Sequence, residues 1–161
     1  MILGALTVFH VLLAATAIFS GFIVINGFLC CRCTEGWNVL FLTTAIGTSA
    51  TGFLFPFHGF VPADTIGILS LIVLIIAVIA RHFGLAGAWR ATYVVTTVVA
   101  LYFNMVVLVA EFFRRLPPLR ALAPTQTEPL FQAVQVVLLL VFVVLAVKAV
   151  YGMNIRRAEA N

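Results

Sequence analysis

Charge is what this chain has least of. Only 9% of its 161 residues are charged and 64% are hydrophobic, against about 25% charged residues in ordinary soluble domains. That balance excludes a water-soluble globular domain and points to membrane spans. Recognition motifs are missing too. There is no Gly-rich phosphate loop and no basic patch interleaved with aromatic residues, so nucleotide and nucleic-acid binding are excluded. The net charge of +4 comes from basic residues standing singly or in pairs at the ends of apolar runs. Cysteine is confined to Cys30, Cys31 and Cys33. That CCxC run lacks the two-residue spacer of a thioredoxin-like motif, and no second pair completes a zinc or cluster site. No HExxH run, internal repeat or low-complexity segment occurs. No Lys or Arg precedes the first apolar run. Although Ala15-Thr16-Ala17 loosely fits a cleavage site, that run is expected to be a retained helix.

What is present is apolar length. A roughly 19-residue hydropathy window finds five spans: 2–29, 37–55, 64–83, 88–113 and 129–152. At 1.5 Å per residue each is long enough for a ~30 Å hydrocarbon layer, some with tilt. The Val-rich stretch Val94 to Val109 is too long for a barrel strand and does not alternate in polarity, so it is a helix. The expected fold is therefore all-α, one bundle of five transmembrane helices with short loops. Pro56 stops the second span, and Asp64 is placed to cap the third. The longest loop, RRLPPLRALAPTQTEP, carries Pro117, Pro118 and Pro124, which argue against regular helix there. Thr127 or Glu128 precedes Pro129 as the cap of the last span.

Five spans put the termini on opposite sides. Arg32, Arg81, Arg90, Lys148, Arg156 and Arg157 fall on one side, and Arg114, Arg115 and Arg120 on the other. The excess places the C-terminus in the cytoplasm and the N-terminus outside. Cys30, Cys31 and Cys33 then face a reducing compartment, where a structural disulfide is not expected. Trp37, Trp89 and Tyr151 read as interfacial anchors near the same inner face.

The organising stretch is Gly47 to Asp64, GTSATGFLFPFHGFVPAD. Thr44, Thr48 and Gly52 recur every four residues, with Gly47 and Thr51 alongside, which reads as a close-packing helix face. The third span, with LSLIVLIIAVIA, is expected to face lipid over much of its surface.

Candidate chemistry lies in the outer half. Tyr93, Thr97, Asn104 and Glu111 share one stripe of the fourth span. Glu111 stands about one and a half turns before Pro117, ~9 Å inside the helix end. Arg114 and Arg115 are ready partners at i+3 and i+4. His10 enters the first span at a similar depth, Gln132 and Gln135 enter the fifth from the same side, and His58 lies in the loop above. His10, His58, Glu111, Gln132, Gln135 and Asn104 therefore form a candidate polar layer for a cofactor. Bis-histidine haem ligation would need two facing imidazoles, and a single-His tetrapyrrole ligand is the alternative. A metal centre from His10, His58 and Glu111 has the right ligand types without a local spacing to support it. A quinone could use His or Gln donors and a wall of Phe53, Phe55, Phe57 and Phe60.

Three stretches, ATGFLFPFHGFVP, HFGLAGAWRATYVV with ALYFNMVVLV after it, and LRALAPTQTEPLF, give the chain a family look. Over about Gly47 to Gln135 it resembles a family of small uncharacterised bacterial membrane proteins, chiefly proteobacterial. The resemblance implies a bacterial inner-membrane location and transfers no catalytic residue. The cysteine cluster is not part of it.

Three function classes follow. The leading one is a non-catalytic accessory or stabilising subunit of a larger inner-membrane complex. Its partners are the lipid bilayer and other membrane proteins, or a second copy of this chain. The runner-up is a haem- or quinone-binding redox module using the outer polar layer. The third, a small transporter or channel, is disfavoured by the scarcity of intramembrane charge and of paired broken helices.

Overall fold

The computed structural model describes residues 2–30, 32, 34–55, 62–85 and 87–159, with residues 2–3, 62–64 and 153–159 described for the backbone alone. Every regular element among the described residues is an α-helix: α1 (Ile2–Cys30), α2 (Glu35–Gly52), α3 (Pro62–His82), α4 (Ala88–Arg115), α5 (Pro117–Leu122) and α6 (Pro129–Glu159). Four stretches are long and apolar enough to cross a membrane: Gly4–Cys30, Thr65–His82, Ala88–Arg115 and Pro129–Gly152. The chain is an all-α membrane bundle. Helix α2 is outside that set because its 18 residues include Glu35, Asn38 and several hydroxyls.

Among the boundaries that differ from expectation, proline explains two. Helix α3 starts at Pro62, so Asp64 is its third residue rather than its cap. The proline-rich loop contains α5, because Pro117 and Pro118 occupy its first two positions. There the missing N–H groups would have no helical partner anyway, and the fixed φ suits helix entry. The expected start of the last span holds: Gln132 N–H donates to Glu128 C=O at 3.1 Å, so Glu128 is the capping residue and Pro129 opens α6. Between α3 and α4 the chain reverses through positive φ at Gly84, Leu85 and Gly87.

Helices α1 to α4 form a ring in which each packs on the next and α4 closes onto α1. Helix α6 lies in the groove between α1 and α4. The core holds Val24, Phe41, Ala45, Leu74, Ala77, Val98 and Leu101. Gly21 sets the closest approach, since a Cβ there would stand 2.7 Å from Leu101 Cδ1 and 2.9 Å from Phe41 Cε2. The threonine–glycine face of α2 behaves as read. Thr44, Thr48 and Thr51 return their hydroxyl protons to the carbonyls of Leu40, Thr44 and Gly47. A Cβ at Gly47 would stand 3.2 Å from Leu13 of α1. Helix α6 is anchored by Phe142, which packs between Phe22 of α1 and Tyr102 of α4 at ring-centroid distances of 6.5 and 5.7 Å.

Candidate functional site

The polar residues expected in the outer half come together only in part. His10 projects from α1 onto α2, where Nδ1 lies 2.9 Å from Thr51 Oγ1 and the ring meets Phe55 edge-on at 5.4 Å. Thr51 Oγ1 also lies 2.7 Å from Gly47 C=O. Two oxygens that close need a proton between them, so the threonine proton goes to the carbonyl. His10 Nδ1–H must then donate to Thr51, which leaves the lone pair on Nε2.

Glu111 itself is tied to its own helix. Its carboxylate accepts from Arg114 at 2.6 and 2.8 Å and from Arg115 at 2.6 Å. Because α4 continues to Arg115, Glu111 is four residues, ~6 Å, from the helix end. At that depth the long arginine side chains reach the interface, and exposed pairs of this kind contribute about 0–1 kcal/mol. Asn104 Nδ2 donates to Ala100 C=O on the same helix, and Gln132 Nε2 donates to Thr127 C=O at the start of its own. Besides His10, Gln135 bridges helices, from α6 to Val106 C=O of α4 at 3.5 Å, and its buried Oε1 has no partner. His58, together with Phe57 and Phe60 of the suggested aromatic wall, lies outside the described residues. Cys30 is exposed, with Sγ donating to Asn26 Oδ1 at 3.6 Å; Cys31 and Cys33 also lie outside the described residues.

A tighter cluster sits at the opposite end of the bundle. Tyr93 of α4, 2% exposed, donates its hydroxyl proton to Asn38 Oδ1 of α2 at 3.0 Å. Asn38, 8% exposed, donates in turn to Thr34 C=O at 2.9 Å. Arg81 of α3 reaches the same hydroxyl at 3.5 Å, lies 5.9 Å above the Tyr93 ring, and pairs with Glu35 at 2.8 Å. Phe28 of α1 meets the Tyr93 ring edge-on at 6.0 Å. Thr34 fits because Gly27 has no side chain; a Cβ there would stand 2.7 Å from Thr34 Cγ2. All four helices of the ring therefore converge on one phenol.

Reading the sequence missed this cluster. In the sequence Arg81 counts as a topology charge, and Tyr93 falls on one stripe with Thr97, Asn104 and Glu111. Their shared depth is legible, since Glu35 just precedes the second span, Asn38 lies at its start, Arg81 near the end of the third and Tyr93 near the start of the fourth. What was absent from the sequence is the rotation that turns all of them inward. Chemically the cluster joins neutral donors to acceptors around one partly shielded guanidinium. It locks helices together. Among the described residues no group of three or more His, Cys, Asp or Glu could hold a metal ion. No family model, curated protein or solved structure matches the chain.

Proposed function

We propose that the chain is a non-catalytic inner-membrane protein of five spans that acts by association, as an accessory or stabilising subunit of a larger membrane complex. The observation that carries this reading is the division of labour between polar and apolar surface. Most buried polar groups of α1 to α4 are satisfied inside the bundle, through Tyr93–Asn38–Thr34, through Ser49–Ser70 at 3.2 Å and through own-helix carbonyls for Ser20, Thr44 and Thr48, while Thr97 Oγ1 is buried without a partner. Helix α6 instead presents Val136, Val137, Leu140, Val141, Val144 and Val147 outward along one broad face. Polar groups consumed within the bundle hold its shape, and a helix with a broad exposed apolar face is suited to contact with lipid and other spans. Helix α2 supports the fifth crossing. It packs between α1 and α3 and measures ~27 Å at 1.5 Å per residue. The excess of Lys and Arg puts the C-terminus in the cytoplasm.

The test is purification from native membranes in mild detergent, with mass measurement of the intact assembly. A stoichiometric membrane-protein partner, or a defined homo-oligomer, is the expected result. A monodisperse monomer that also catalyses solute or proton flux in liposomes would overturn it.

A second reading, a haem- or quinone-binding module, is favoured by one observation: the Thr51 contact leaves His10 Nε2 with a lone pair, as a ligand or hydrogen-bond acceptor requires. An absorption spectrum, oxidised and reduced, with quinone extraction from the same sample, decides it. A chromophore or quinone lost in His10→Ala would replace the first reading; an unchanged ligand content in that variant would end the second.

A further inference from the structure

Between the end of α4 and the start of α6 lies a cavity of about 500 Å³, with Arg114, Arg120, Thr125 and Gln126 as polar lining and Phe113 and Pro124 as apolar walls. Its depth is set by the fold. Two membrane-length helices end at Arg115 and begin at Pro129, so the segment between them lies at one membrane face. The cavity's charge is positive. Arg114 shares Glu111 with Arg115, and Arg120 meets no carboxylate among the described residues. Glu128 stands beside Thr125, which donates to it through its N–H at 3.0 Å and its hydroxyl at 2.8 Å. Two guanidiniums thus line the cavity, Arg114 shared with Glu111 and Arg120 without a carboxylate among the described residues. The Gln126 side-chain amide is engaged too, donating to Ala110 C=O at 2.8 Å, and its backbone is held at φ 61°. The remaining attraction in the cavity is therefore ionic, from Arg120 and Arg114.

The segment that builds the cavity also carries exposed apolar side chains, Phe112 and Leu116 at the end of α4, Leu122 at the end of α5 and Leu130 on the first turn of α6. A cation pair on a segment with exposed leucines at a membrane face fits an anion that carries hydrocarbon chains. We propose that this cavity binds the phosphate of an anionic phospholipid headgroup, with the acyl chains lying along Phe112, Leu116, Leu122 and Leu130. The proposal depends on the membrane setting and is independent of the accessory-subunit reading.

The experiment is native mass spectrometry of the full chain in detergent, with phosphatidylglycerol or phosphatidylcholine added. Phosphatidylglycerol is expected to be retained in preference to phosphatidylcholine. A basic residue near a membrane surface contributes about 1 kcal/mol of attraction to acidic lipid, so Arg120→Gln should reduce that preference about fivefold. Arg120→Lys should keep most of it, and Arg90→Gln, at the other end of α4, should leave it unchanged. Arg114→Gln is the second variant should Arg120→Gln fold poorly. Equal retention of the two lipids, or a preference untouched by both Arg120→Gln and Arg114→Gln, overturns the site. Displacement of the lipid by millimolar inorganic phosphate alone overturns the headgroup assignment, since a free anion would then suffice.

Discussion

Tyr93 has one hydroxyl proton, and Asn38 Oδ1 receives it. Replacing Tyr93 by Phe leaves that buried oxygen without its donor. A lost interhelical hydrogen bond in a membrane protein costs about 1 kcal/mol. Tyr93→Phe should therefore lower the thermal midpoint in detergent by that equivalent. Because the two groups share one bond, Tyr93→Phe combined with Asn38→Leu should lose less than the sum of the single changes. Strict additivity would mean that the bond contributes nothing. Glu128, between α5 and α6, behaves differently. The N–H of Thr125 leads the interactions that hold its carboxyl below the usual glutamate range. A carboxylate whose pKa is depressed on folding adds stability above its unfolded value and loses it as pH falls through the folded one. Acidification through that window should lower the thermal midpoint of the wild type more than that of Glu128→Gln, and parallel pH curves would refute the assignment.

Helix α6 is attached by a seam in which Phe142, 4% exposed, is the largest buried side chain. Truncating a buried Phe in a water-soluble core costs about 3–5 kcal/mol. Lipid is as apolar as the core, so the transfer part of that cost shrinks and packing remains, which leaves about 1–3 kcal/mol here. Phe142→Ala should loosen α6, read as a lower thermal midpoint, whereas Val143→Ala on the exposed side should stay within about 0.5 kcal/mol of wild type. An equal effect of the two would place the seam elsewhere. The helix ends show how far local chemistry reaches. Pro129, Gly84 and Gly87 mark boundaries that the structure keeps. Pro117 and Pro118 open a helix where they had been expected to prevent one, because proline's effect depends on its position in the turn.

At the scale of the whole molecule, parity decides the topology. If α2 crosses the membrane, Cys30 and residue 120 lie on opposite faces; if it does not, they share one. An impermeant maleimide should reach the native cysteines from the cytoplasmic side. It should reach Arg120→Cys, in a chain with the native cysteines replaced by Ser, from the other side. Labelling of both from one side would reduce the crossings to the four helices of clear membrane length.

By itself the sequence determined that the chain is helical, that its helices are membrane-length and apolar, and where most of them end. Those properties come from transfer energies and turn chemistry, which act over a few neighbouring residues. It also determined depth, because counting at 1.5 Å per residue places each side chain along the bilayer normal. The tertiary structure decided which side chains at one depth meet. His10 turned to Thr51, Gln135 found Val106, Asn104 stayed on its own helix, and Arg81, Asn38 and Tyr93 converged unannounced. The reason is that contact across a bundle depends on the order of helices and the rotation of each about its axis. Both are set by close approach at positions such as Gly21 and Gly27, where one missing side chain admits a neighbouring residue.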